Sequence, residues 1–179
     1  GLGEGWGRRR MIITRTPLRI CLGGGGTDIK EYYSRYGGFL VSATVNQYIY
    51  VAIHKHFEKN IRLCYSRREI VQSFDEVRHT VFQEAMKLFE VKEGGFEISS
   101  FADIPSDTGL GPSSSFTVGL IPALAAYQGI KMTRYELAEM AYHIEREILG
   151  EAGGEQDQYI AVFGGISCLI FEPTGKVLV

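Results

Sequence analysis

The stretch GLGPSSSF, residues 109–116, constrains the chain most tightly. Gly109, Leu110, Gly111 and Pro112 stand directly ahead of the serines. Three serines then open the apolar run TVGLIPALAAY. This loop is expected to feed a helix from about Ser113 to Gln128. Glycines beside a helix start let backbone N–H groups approach an anion, and the unpaired N–H groups of the first turn add partial positive charge. Phosphate is the natural ligand. No lysine follows the second glycine and no GxxxxGK[ST] occurs, so this is not a Walker loop. A serine hydroxyl at a helix start can ligate Mg²⁺, and serines are also leading helix caps; the loop alone leaves both readings open.

The rest of the chain alternates strands and helices in an α+β order. MIITRTPLRICLG reads as one or two strands broken at Pro17, and the glycine run GGGG leads through Thr27 and Asp28 into a short helix, IKEYYSRYG. FLVSATVNQYIYVAIHKHF and IRLCYS carry the β-branched and aromatic content of strands in a mixed or antiparallel sheet. DEVRHTVFQEAMKLFEV returns to helical spacing, with Val77, Val81, Met86, Leu88 and Phe89 on one side. GGFEISSFADIP is a further strand, and Pro122 is expected to kink or break the helix after the serines. TRYELAEMAYHIEREILG is a helix with a capping box from Thr133 to Glu136 and Gly150 after its end. EAGGEQDQYIAVFGG gives a glycine-flanked turn and a short helix before the strands ISCLIFEP and KVLV. Residues 1–10, GLGEGWGRRR, lack periodicity and read as a leader or expression remnant, and the apolar strand at residue 179 suggests a piece of a longer protein.

Composition narrows the partners. Nineteen basic against 21 acidic residues give a net charge of −2, so no overall field draws the chain onto nucleic acid or an anionic membrane. No apolar run approaches the ~20 residues of a membrane span, and no signal-peptide order opens the chain. Cys21, Cys64 and Cys168 lie far apart without a CxxC, which suits a reducing cytoplasm better than zinc or a disulfide framework. A small molecule is the expected partner, and homo-oligomerisation is left open.

A bound Mg²⁺ with phosphates takes one or two carboxylates, so acids downstream of the loop matter. Glu145 lies on the capped helix and Asp157 lies within GGEQDQY, where glycines permit close packing; Glu147, Glu151 and Glu155 read as solvated surface.

Three segments, PLRICLGGGGTD, GLGPSSSF and EREILG…GGEQDQ, resemble in order and separation the motifs of the GHMP kinases, across nearly all of residues 11–179. Within that superfamily the glycine run, VSATVNQYIYV and QDQY are most similar to the D-glycero-D-manno-heptose 7-phosphate kinase group, with fucokinase-type sugar kinases next. The resemblance implies a ribosomal-S5 domain 2-like fold, residues 11–179 being the N-terminal ATP-binding domain without the second, C-terminal domain of the family. It implies that Gly109, Leu110, Gly111, Pro112, Ser113 and Ser114, with Ser115 completing the run, wrap the ATP phosphates. Ser113 and Glu145 would hold Mg²⁺, and Asp157 would take the proton of the attacking sugar hydroxyl. Arg19 would stabilise charge on the transferred group or orient Asp157. Gly25, Gly26, Thr27 and Asp28 would contact the sugar or sugar phosphate. The structural alternatives are a surface strand charge for Arg19 and a helix cap for Asp28.

Galactokinases carry Glu-His where Gly25 and Gly26 stand, so two polar sugar contacts are missing and galactose fits poorly; the glycines leave room for a bulkier or phosphorylated sugar. From Gly150 to Asp157 the spacing is one residue longer than in mevalonate kinase. Counting GxGxxG from Gly23 puts Asp28 at the third glycine, which argues against a dinucleotide fold. His54 and His56 lack a third metal ligand, and Tyr32, Tyr33 and Tyr36 read as packing, with Tyr33 at best lining a sugar pocket. A non-catalytic sugar or nucleotide sensor, or a fragment inactive without its second domain, are the competing readings.

Overall fold

An 18-residue strand, β2 (Gly38–Lys55), organises the molecule, because three other strands pair with it. β1 (Ile12–Gly23) runs antiparallel to it from Ile12↔Ile53 to Gly23↔Val41. On its other edge β2 pairs antiparallel with β5 (Phe96–Ala102) through Ile49–Lys55 and with β6 (Ile166–Phe171) through Gly38–Ala43. β3 (Ile61–Cys64) pairs parallel with β5 and antiparallel with β4 (Arg68–Val71), and β7 (Val177–Leu178) closes the far edge on β6. The computed structural model describes residues 11–91, 94–105 and 108–179, so the leader expected over 1–10 lies outside the described residues.

Helices fill the spaces between strands: α1 (Lys30–Tyr36), α2 (Thr80–Leu88), α3 (Pro112–Gln128), α4 (Arg134–Tyr142) and α5 (Gln156–Phe163). The result is the mixed-sheet α+β architecture expected. α3 is buried along most of its length, from Ser114 and Ser115 to Ala125. Its close approach to the sheet needs Gly119, where a Cβ would sit 2.9 Å from Thr16 Oγ1; Thr14 Oγ1 donates to the Gly119 carbonyl at 2.7 Å. That contact fixes α3, and the loop ahead of it, against β1.

Several local expectations need correction. Pro17 does not break β1: the strand continues through a register shift between Pro17 and Leu18. Proline is tolerated because β1 pairs only with β2 among the described residues, leaving its outer edge without a ladder to lose. Pro122 sits inside an unbroken α3, whose tertiary packing outweighs one missing N–H. The helix expected from Asp75 begins only at Thr80, after a short 3₁₀ turn at Phe74–Glu76, and Leu88 is exposed although Val77, Val81, Met86 and Phe89 are buried. β4 was not foreseen. The Thr133–Glu136 capping box is present, but the helix it starts widens into a π turn at His143–Ile148. Ile144 and Glu145, within that turn, are both buried.

Candidate active site

The start of α3 is shaped by glycines. Gly109 and Gly111 adopt left-handed angles (φ 71° and 73°), Gly111 is the N-cap, and Pro112 follows it. No side chain caps this helix. The serines are committed elsewhere or exposed: Ser115 Oγ donates to the Pro17 carbonyl at 2.8 Å, Ser114 Oγ donates to Glu145 Oε2 at 2.7 Å, and Ser113 is exposed at the helix mouth. The capping alternative is therefore not the arrangement seen, and the first-turn N–H groups remain directed outward.

Arg19, on β1, joins this loop to Asp157 on the first turn of α5. Its Nε donates to Asp157 Oδ1 at 2.5 Å, its Nη1 donates to the Gly109 carbonyl at 2.8 Å, and its backbone N–H donates to the Leu110 carbonyl at 3.0 Å. The pair is largely but not fully buried, with 14% and 17% side-chain exposure, so it stays reachable by a ligand. A Cβ on Gly111 would stand 3.5 Å from Asp157 Oδ2, which puts the carboxylate directly against the loop. Among the described residues Oδ2 accepts no hydrogen bond. Arg19 is thus not a surface strand charge.

Glu145 lies beneath the loop with no exposure. Ser114 and the Nε2 of Gln158 both donate to its Oε2, and Gln158 Nε2 also donates to Ser114 Oγ at 3.2 Å. Glu145 Oε1 is buried and accepts nothing among the described residues. Burial pushes the Glu145 carboxyl above its usual range, offset in part by the Thr117, Ser114 and Gln158 side chains and by the Arg146 guanidinium, whose Nη2 stands 3.8 Å from Oε2. A hard divalent cation would satisfy the orphaned oxygen, and an oxygen-only set with few carboxylates suits Mg²⁺ shared with phosphates. The described residues contain no cluster of three or more His, Cys, Asp or Glu, so most ligands of such an ion would come from nucleotide and water.

Thr27 and Asp28 sit beside the site but face inward. Thr27 Oγ1 donates to the carbonyls of Gly24 and Phe39 and accepts the Phe39 N–H, and Asp28 is buried. Asp28 does cap a helix, though it is the distant α5 and not the adjacent α1: its Oδ2 accepts the Gln156 N–H at 3.1 Å. Gly25 and Gly26 leave the outer side of the turn open, apart from Cys21 Sγ near Gly25.

Glu155, expected at the surface, is buried and accepts the Tyr33 hydroxyl at 2.5 Å, and burial raises its pKa. Gln158 and Arg146 were also missed: Arg146 reaches the Glu151 carboxylate and the Gly154 carbonyl, bracing the glycine-rich turn before α5. Only the side chains that GGEQDQY packs against reveal such roles. The three cysteines are free, and no helix among the described residues is long and apolar enough to cross a membrane.

Residues 76–165 match the model of the GHMP kinases N terminal domain. The chain is 36% identical over 95% of its length to the D-glycero-alpha-D-manno-heptose 7-phosphate kinase of Campylobacter jejuni, covering 53% of that protein. It is 27% identical over 89% of its length to the L-fucokinase/L-fucose-1-P guanylyltransferase of Bacteroides fragilis, covering 20% of it. The crystal structure of a D-glycero-D-manno-heptose 1-phosphate kinase from Bacteroides thetaiotaomicron superposes with a TM-score of 0.87 at 30% identity, over 95% of this chain and 59% of that one. The chain thus spans little more than half of its heptose-kinase relatives. That family model covers half of the sequence, and the chain belongs to the GHMP kinases.

Proposed function

We propose that this chain supplies the nucleotide- and acceptor-binding residues of an ATP- and Mg²⁺-dependent sugar kinase whose acceptor is O1 of D-glycero-D-manno-heptose 7-phosphate, working in the cytoplasm. The observation that carries this reading is the Arg19–Asp157 pair set against the Gly109–Gly111 loop at the start of α3. It joins a carboxylate with one unengaged oxygen to an anion cradle through a fixed cation. The loop N–H groups would hold the ATP phosphates. Mg²⁺, when bound, neutralises phosphate charge, and Ser113 and Glu145 are the residues that would hold it.

In the transfer the acceptor O–H bond breaks and its proton passes to Asp157. The acceptor oxygen bonds to the γ-phosphorus, the bond from that phosphorus to the β,γ-bridging oxygen breaks, and ADP leaves. Arg19 offers fixed positive charge to the transferred group and holds Asp157 in line. An anomeric hydroxyl is more acidic than other sugar hydroxyls, so a carboxylate suffices as base. The heptose phosphate is favoured by the 36% identical relative and by the room left at Gly25 and Gly26.

The test is ADP release from Mg·ATP with heptose 7-phosphate, mannose, fucose and galactose, using this chain and the natural polypeptide that carries it. Selective turnover with the heptose phosphate is expected from the natural polypeptide. Preference for fucose would move the acceptor to the fucokinase class, and ATP binding without turnover on any sugar would favour a sensor.

A further inference from the structure

The carboxylate at the end of the glycine run has both oxygens engaged. Asp28 is 2% exposed; its Oδ1 accepts the Gly26 N–H at 3.0 Å and its Oδ2 accepts the Gln156 N–H at 3.1 Å. Its main-chain carbonyl accepts the Glu155 N–H at 3.3 Å. Gln156 is the first residue of α5 and Asp157 the second. One side chain therefore ties the glycine turn to the helical turn that presents Asp157.

The surroundings leave no slack in this tie. A Cβ at Gly154 would lie 2.0 Å from Asp28 Oδ2 and 2.7 Å from the Asp28 carbonyl, so only glycine lets the two segments meet. The turn itself is anchored to β2 by the Thr27 hydroxyl, and α1 is anchored to the cap of α5 by the buried Tyr33–Glu155 bond. Gly24 and Gly26 have φ of 84° and 89°, conformations that keep the turn tight enough for the Gly26 N–H to reach Asp28.

We propose that Asp28 is a positioning residue and not a sugar ligand: it sets the first turn of α5, and with it Asp157, according to the conformation of the glycine turn. The inference rests on the role given to Asp157 in phosphoryl transfer. Occupation of the glycine turn by an acceptor is then transmitted to the base through two hydrogen bonds to one carboxylate. An ionised carboxylate accepts two N–H groups at once, whereas an asparagine side chain must turn its own NH₂ toward one of them.

The experiment compares wild type with Asp28→Asn and with Asp28→Ser, which keeps a single acceptor, by steady-state kinetics on the natural polypeptide and by amide hydrogen exchange without substrates. Asp28→Asn should lower kcat by about 10- to 100-fold while the acceptor KM moves less than about threefold. Exchange at Gln156, whose N–H the carboxylate accepts, should quicken by about tenfold or more, with the serine variant intermediate. A sugar-ligand role predicts the reverse: acceptor KM rising tenfold or more with exchange of α5 unchanged, and that result overturns the proposal. Should the asparagine variant fail to fold, the serine variant is read by the same two criteria. Should Asp157→Asn turn over normally, the functional reading fails by itself; the exchange measurement still decides whether Asp28 holds α5, and unchanged exchange there overturns the tie.

Discussion

Arg19 Nε donates to Asp157 Oδ1 at 2.5 Å while Nη1 of the same guanidinium donates to the Gly109 carbonyl at 2.8 Å. Two segments 138 residues apart, a strand and the first turn of α5, are thereby referenced to the Gly109–Gly111 loop by one planar group. Lysine offers a point charge that cannot hold both partners in that fork. Arg19→Lys is expected to lower kcat by about 10²-fold, in the range of a lost preorganised electrostatic contact, with a smaller effect on ATP affinity. Steady-state kinetics with calorimetry of ATP binding checks this; an unchanged kcat would remove Arg19 from the reaction.

Gly119→Ala tests what sets the loop in place. The added methyl meets Thr16 Oγ1 at 2.9 Å and Thr14 Oγ1 at 3.4 Å, so α3 must move away from β1. Overpacking of this kind costs about 1–3 kcal/mol. Urea unfolding should show that loss, and an alanine variant as stable as wild type would mean that α3 has freedom its packing denies.

Ser113 and Ser114 are adjacent but have different neighbours. Ser113→Ala should weaken Mg·ATP binding more than acceptor binding and leave the melting temperature unchanged, because the side chain is exposed. Ser114→Ala removes a donor from the fully buried Glu145 and should cost about 1–3 kcal/mol of stability. Calorimetry and thermal melts separate the two. Equal effects of both variants on both readouts would contradict the division of roles.

Glu155 gives stability a pH dependence with a defined sign. Burial raises its pKa above the ordinary 4.5, although the Tyr33 hydroxyl bond works in the opposite direction. The native state therefore holds this proton more tightly than the unfolded chain does. The contribution is fully present below the ordinary value and is lost as pH rises through the native pKa. Glu145 acts in the same direction, so Glu155→Gln should reduce the downward slope of stability above pH 4.5 without abolishing it. Denaturant unfolding across that range reads it directly, and an unaltered slope would show that Glu155 does not titrate differently in the native state.

What the sequence disclosed was local chemistry. The Thr133–Glu136 capping box and the glycine loop that leads into α3 follow from residues a few positions apart, and both are present. The β-branched and aromatic content of residues 39–57 likewise matches β2. Glu155 read as surface because its burial depends on Tyr33, 122 residues away, and on α1 packing against α5. β4 was invisible because SRREIVQS is a short, polar edge whose pairing with β3 is a tertiary fact. The π turn at His143–Ile148 has no signature of its own in the sequence. Arg19 and Asp157 could be named from family motifs, but their meeting at Gly109 and the inward turn of Asp28 required the folded chain.

The most direct test is Asp157→Asn in the natural polypeptide, with ADP release measured on heptose 7-phosphate and ATP binding measured by calorimetry. The asparagine side chain preserves shape but cannot take the acceptor proton. The account predicts turnover reduced by about 10²–10⁴-fold, the range of general-base catalysis, with ATP affinity within about twofold of wild type. Undiminished turnover would contradict it.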